Sequence, residues 1–219
     1  MGKHYGNLQR IVGGIRKYAI TPDIPGGFVT VEQLEKITSV AKKYNGVIKL
    51  TSGQRILITN LFEEDLPAIW EELDMEPAVT SQNSVKNVEM CPAGYCKRMK
   101  HNTIGLGMKL YRKYQKQDMP CRTKIGVAGC RNACGSVYSK DVGVVTDFNG
   151  LLTLTAGGSG GFNPRMADVI KKDLKEDEIL DLIDKLFIYY KENAEMGEKL
   201  GFMIDRIGLE KFKEDLESM

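Results

Sequence analysis

The chain has 219 residues, 42% hydrophobic and 27% charged, with a formal net charge of +2. That is the composition of an ordinary soluble globular protein, with enough apolar residues for one large domain or two small ones. No apolar run approaches membrane-spanning length, and "MGKHYGNLQRIVGG" has neither a signal peptide's apolar core nor Ser or Thr at position 6 for myristoylation, so the expected location is the cytosol, with no membrane partner.

In chain order, a short β segment, "IRKYAITP", leads to the turn "DIPGGF". A helix follows with a capping box, Thr30 as N-cap and Gln33 three residues on. Val31, Leu34, Ile37, Val40, Ala41 and Tyr44 keep helical spacing until "YNG" closes it. "VIKLTSGQRILITNL" reads as two strands around a break at Gly53, and "EEDLPAIWEELDM" as a second helix with Trp70 as a core anchor. This β-α-β-β-α order predicts a small layer with helices on one sheet face.

A polar stretch, "EPAVTSQNSVKN", separates that unit from the cysteine region. Beyond it come a helix near 101–117, a strand "TKIGVAG" running into "GCRNAC", and a hairpin "DVGVVTDFNGLLTLTA" turning at "FNG". "GGSGGFNPR" reads as a flexible loop. "EDEILDLIDKLFIYYKEN" is an amphipathic helix with Ile179, Leu182, Ile183, Leu186, Phe187 and Tyr190 on one face, and "IGLEKFKEDL" ends the chain as a last helical stretch. No repeat and no low-complexity tract is visible.

Two tight cysteine pairs, Cys91/Cys96 and Cys130/Cys134, stand out in a chain whose only other cysteine is Cys121. A reducing cytosol and an odd count disfavour disulfides, so clustered thiols point to metal or redox chemistry. With only His4 and His101 as further soft ligands, the spacing fits a four-thiolate zinc site or a 4Fe–4S cluster equally. Cys121 reads as a bystander thiol and His101 as a helix-start residue. From Lys86 to Arg131 there are eleven basic and two acidic residues, whereas Arg165–Met219 has ten basic and fifteen acidic. The positive charge therefore sits with the cysteines and suggests an anionic ligand, although Lys109, Lys113 and Lys116 fit a solvated helix face equally well.

The residues around the cysteines add more. "NVEMCPAGYCKR", "RTKIGVAGCRNACG" and "DVGVV" closely resemble the sulfite and nitrite reductase family, which carries siroheme and a 4Fe–4S cluster. "IPGGFVTVEQLEKITSVAKKYNGVIKLTSGQRILI" resembles the family's ferredoxin-like half-domain, and "YYKENAEMGEKLGFMIDRIGLEKF" its closing helices. The resemblance covers most of the chain but one repeat of the larger two-repeat enzymes, as in the small single-repeat assimilatory-type sulfite reductases of anaerobes. It implies an α+β fold, with a ferredoxin-like half-domain over 1–78 and a 4Fe–4S and siroheme domain with C-terminal helices over 79–219.

The resemblance also implies site residues. Cys91, Cys96, Cys130 and Cys134 align with the cluster ligands, Cys134 with the one that also reaches the siroheme iron. Arg122 and Lys124 align with a basic pair facing the substrate anion, and Lys86 falls where the family has a substrate-side Arg. Thr51 and Gln54, with Arg55 nearby, match a siroheme-binding element, and Asn132 is a candidate partner of cluster or siroheme. The implied activity is six-electron reduction of sulfite to sulfide, or of nitrite to ammonia, fed by a ferredoxin-like donor. The departures are four residues rather than five between the first two cysteines, Gly53 at an Arg position, and Thr21 and Asp23 where basic residues are usual. Two rival readings remain: a 4Fe–4S electron-transfer module without siroheme, and a zinc-stabilised nucleic-acid-binding domain. The latter is disfavoured because stacking aromatics do not interleave with the basic residues beyond Tyr95, Tyr111 and Tyr114. A one-repeat chain would pair with itself or work alone.

Overall fold

The computed structural model describes residues 5–219; the first four residues of the N-terminal stretch, His4 among them, lie outside them. The chain divides into two compact units, one ending at Thr80 and the other spanning Ser81–Met219. Among the described residues, no helix is long and apolar enough to cross a membrane.

The first unit is a four-stranded antiparallel sheet in the order β1-β2-β4-β3, carrying two helices. β1 (Asn7–Val12) and β2 (Ile15–Ile20) form a hairpin over Gly13 and Gly14, both at positive φ, where a side chain would be strained. The sequence reading missed β1, because Leu8, Ile11 and Val12 are all exposed on an edge strand that shows no apolar alternation. Helix α1 (Val31–Lys43) has the expected capping box, with the Gln33 N–H donating to the Thr30 hydroxyl. Its buried stripe is narrower than the spacing suggests: Ile37, Val40 and Ala41 are inside, while Val31 and Leu34 are exposed. β3 (Val47–Leu50) and β4 (Ile56–Leu61) follow, then α2 (Leu66–Leu73). Trp70 is buried with Ile37, Ile58, Leu61 and Ile69, and its indole N–H donates to the Tyr5 carbonyl.

The second unit is built on a five-stranded sheet, β5-β6-β7-β8-β9. β5 (Val85–Met90), β6 (Thr123–Ala128) and β7 (Val142–Thr146) are parallel, and β8 (Leu152–Ala156) and β9 (Asp168–Leu174) continue antiparallel. Helix α3 (Ile104–Tyr114) makes the β5–β6 crossover that parallel strands require. The expected β7–β8 hairpin is present. β5 was not expected: its first three residues, Val85, Lys86 and Asn87, fall at the end of the stretch read as a polar separator. Helix α4 (Glu176–Asn193) buries the six predicted apolar positions, together with Tyr189. α5 (Leu200–Ile207), a further unexpected element, precedes α6 (Leu209–Ser218). The loop "GGSGGFNPR" is pinned at its base by paired Ser159–Arg165 backbone hydrogen bonds, and Arg165 forks onto Asp168 and Asp205.

Candidate functional site

Parallel strands present their C-terminal ends to ligands, because the loops that leave there open a crevice. Both cysteine pairs lie at that edge. Cys91 follows β5 directly, and Cys130 comes two residues after β6. The Cys91 N–H extends the ladder by donating to Val127 O at 3.0 Å. From there "CPAGYC" winds through successive tight turns, the Cys96 N–H donating to Ala93 O and the Met99 N–H to Cys96 O. Across the crevice the Ala133 N–H donates to Cys130 O, and the Ser136 N–H to Ala133 O. Ala133 and Ser136 both hold positive φ, 46° and 52°, a strained conformation that clusters at functional loops.

Gly129 locks the two loops together. Its N–H donates to Cys91 Sγ at 3.2 Å, and its carbonyl accepts from the Lys100 N–H at 2.9 Å. A Cβ at this position would lie 2.6 Å from His101 O and 2.8 Å from Ala93 Cβ, so only glycine lets the loops approach. None of the five cysteines is in a disulfide; Cys91 is buried, Cys96 and Cys130 are half-buried and Cys134 is exposed. Cys121 lies before the N-terminal end of β6, the end opposite Cys130.

The chemistry of this donor set suits a cluster. A 4Fe–4S cluster spreads its four thiolates over four irons. Two sulfurs already receive N–H donors: Cys91 from Gly129, and Cys134 from the Asn132 amide at 2.9 Å. Such donors stabilise the more negative, reduced state of a cluster. Replacing Asn132 with Ala is therefore expected to lower the cluster's reduction potential, measured by redox titration under electron paramagnetic resonance.

Beside the cysteines lies a cleft of about 340 Å³ lined by Lys97, Arg98, Lys100, Cys130, Arg131 and Asn132, with Asp147 its sole carboxylate. The Arg131 guanidinium lies 4.9 Å from the centre of the exposed Phe148 ring. These cations were visible only as part of a basic segment; their convergence on Cys130 comes from the two loops folding over one sheet edge. Other members of that segment go elsewhere. Lys109 and Lys113 bridge to Glu176 and Asp184 on α4, and His101 approaches Glu176 at 3.6 Å.

Lys86, Arg122 and Lys124 stand at the other end of the same strands. Lys86 and Lys124 lie near the starts of β5 and β6, and Arg122 just precedes β6. The Lys86 ammonium donates to Ser81 O at 2.5 Å. Asp141, at the head of β7, accepts the Lys124 N–H at 2.8 Å and the Lys199 ammonium at 2.6 Å. Lys199 also reaches Arg122 O at 3.4 Å. Burial pushes the Asp141 carboxyl pKa up, against the pull of Lys199 and the Lys124 amide.

The first unit has a second cleft of about 340 Å³, where Gly26 and Gly27 meet Thr51, Gln54 and Arg55. The siroheme-binding element that the resemblance implies falls in the turn between β3 and β4, at the break expected around Gly53. The Thr51 hydroxyl closes that turn on Arg55 O at 2.9 Å, and Gln54 holds a φ of 56°.

Compared with known proteins, residues 81–219 match the nitrite and sulphite reductase 4Fe-4S domain, and residues 14–76 the nitrite/sulfite reductase ferredoxin-like half domain. An assimilatory-type sulfite reductase of Nitratidesulfovibrio vulgaris is 32% identical over 199 residues, covering 90% of this chain and 91% of that protein. A nitrite reductase [NAD(P)H] of Emericella nidulans is 30% identical over 227 residues, 98% of this chain but 20% of its own length. In fold, the chain is similar to the solved NirA protein of Mycobacterium tuberculosis, with a TM-score of 0.78 at 18% identity over 92% of this chain and 40% of that one.

Proposed function

The chain belongs to the nitrite and sulphite reductase family of oxidoreductases, and from that premise we propose that it reduces sulfite to sulfide in the cytoplasm, using a 4Fe–4S cluster and siroheme. The observation that carries this reading is the joining of two cysteine loops, through Gly129, at the C-terminal edge of β5 and β6 beside a cationic cleft. Cys91, Cys96, Cys130 and Cys134 would hold the cluster, with the exposed Cys134 turned to the second cofactor. When bound, siroheme supplies an iron that takes the anion through sulfur, and the overall reaction consumes six electrons and eight protons per sulfite, releasing hydrogen sulfide and three waters.

The residues of the chain then do electrostatic work. Siroheme carries eight carboxylates, and Lys97, Arg98, Lys100 and Arg131 meet such anions as charge-assisted donors. By itself, the first unit's cleft offers Arg55, Gln54 and the Gly26–Gly27 backbone as donors suited to carboxylates, and Gly53, Thr21 and Asp23 stand where the family pattern has basic residues. Arg122, Lys124 and Lys86 are proposed to serve the substrate anion, helping its oxygens depart as water. Sulfite is favoured over nitrite because the sulfite reductase relative matches nearly end to end. Electrons come from a ferredoxin-like protein.

Anaerobic purification followed by absorption spectroscopy and iron, sulfide and zinc analysis tests this. Siroheme bands with about five irons per chain, four from the cluster and one from the haem, are the expected result. A cluster spectrum without haem would instead support the electron-transfer reading, and colourless zinc protein would reject both.

A further inference from the structure

The two cysteine loops are joined a second time, away from the Gly129 lock. Glu89 precedes Cys91 by two residues, and Cys91 continues the β5 ladder by donating its N–H to Val127 O. The two side chains therefore leave the same sheet face, about 7 Å apart along the strand. Glu89 is in register with Gly126 of β6, and Gly126 with Gly143 of β7, so two glycines in line leave a bare lane across the sheet. The 3-10 turn Val137–Ser139, which begins three residues after Cys134, settles into that lane. A Cβ at Gly126 would lie 2.9 Å from Lys140 Cγ and 3.3 Å from Val137 Cα, and one at Gly143 would lie 2.5 Å from Val137 Cγ1. Lys140, directly after the turn, runs over Gly126 to meet Glu89 at 2.6 Å, and both residues are buried. Nearer the crevice, Cys91 and Ala93 of one loop pack with Ala133 and Val137 of the other.

A buried ion pair is a poor way to gain stability, because apolar side chains of similar volume do as well without stripping charges of water. What the pair has that two apolar side chains lack is direction. A charge-assisted hydrogen bond fixes one donor against one acceptor at one length, whereas apolar contacts can slide. Its ends also bracket the thiols: Glu89 stands two residues before Cys91 and Lys140 six residues after Cys134, so the segment that the pair closes contains all four. We propose that Glu89 and Lys140 are positioning residues for the cluster, setting the separation between the Cys91/Cys96 loop and the Cys130/Cys134 loop. This rests on the reading of those four cysteines as its ligands. The pair acts through the strand end that carries Cys91 and the turn that follows Cys134.

The test is the Glu89→Met/Lys140→Met chain, which loses the tie without leaving one buried charge alone. Its urea midpoint, measured on the metal-free chain, is expected to lie near that of the wild type. In the loaded protein, the cluster's visible absorbance is expected to bleach about ten-fold faster under an excess of a ferrous-iron chelator, the low end of the 10–100-fold cost of losing an outer-shell partner. The electron paramagnetic resonance line of the reduced cluster should broaden, because the loops no longer hold one spacing. Lys140→Arg is the rescue. Its stem is the same as far as Cδ and crosses Gly126 in the same way, and its guanidinium reaches the same carboxylate, so bleaching at the wild-type rate is expected. If the double methionine variant fails to fold, Glu89→Leu/Lys140→Leu takes its place.

Bleaching at the wild-type rate in the double variant would overturn the proposal, as would a Lys140→Arg protein as labile as the double variant. A urea midpoint that falls together with cluster retention would also overturn it, since the pair would then serve the fold and not the spacing. A wild-type chain that takes up no iron and sulfide would instead remove the ligand reading on which the proposal rests.

Discussion

Under the proposed function, the Cys134→Ser protein is expected to fold normally and to lose sulfite turnover by at least about 100-fold, more than the 10–100-fold cost of losing an outer-shell partner of a metal site. Cys134 is exposed, and a surface exchange of sulfur for oxygen changes stability by about 0.5 kcal/mol or less. On the proposed ligand role the loss will be chemical: a serine hydroxyl is a much poorer cluster ligand than a thiolate. If siroheme is bound as proposed, absorption and electron paramagnetic resonance spectra should show the coupled haem and cluster signals gone while circular dichroism is unchanged. Cys121→Ser is the matched control. Cys121 lies before the opposite end of β6 and should leave both spectra and turnover unaltered. Wild-type turnover and coupling in Cys134→Ser would remove the bridging role.

Lys140→Met is expected to destabilise the protein by about 3–5 kcal/mol, the cost of leaving a buried partner charge uncompensated. Lys140 and Glu89 form a 2.6 Å ion pair with side chains 10% and 4% exposed. The lysine stem crosses β6 over Gly126, where a Cβ would sit 2.9 Å from Lys140 Cγ, so the sheet is shaped to let it through. Glu89 is two residues before Cys91, and the pair ties the β5 end of the site to the head of β7. Against a typical total of about 5–15 kcal/mol, the loss would be apparent as a lower urea midpoint with an unchanged slope. The Glu89→Met/Lys140→Met double variant should recover most of that loss, because two apolar side chains carry no desolvation penalty. A Lys140→Met protein of wild-type stability would mean that water already screens the pair.

The sequence by itself determined the local elements and the donor chemistry. Thr30 and Gln33 announce α1 because a capping box is a four-residue event, and α4 is legible because its apolar face repeats within one helix. The two cysteine pairs mark candidate thiolate ligands because each is short enough for one loop to present both. Elements whose stability comes from distant partners were not legible. β5 reads Val-Lys-Asn-Val-Glu-Met, and its buried Glu89 is tolerated only because Lys140 arrives from 51 residues away.

What only the tertiary structure decided is which charges share a place. In sequence Lys124 and Cys130 are six residues apart and look like one site, but an extended strand advances about 3.3 Å per residue and carries them to opposite sheet edges. Lys97, Arg98 and Lys100 lie some thirty residues from Cys130, yet two parallel strands in register bring their loops to a common cleft. Sequence distance measures contour, whereas electrostatics acts through space. Strand direction, set by the α3 crossover, converts one into the other.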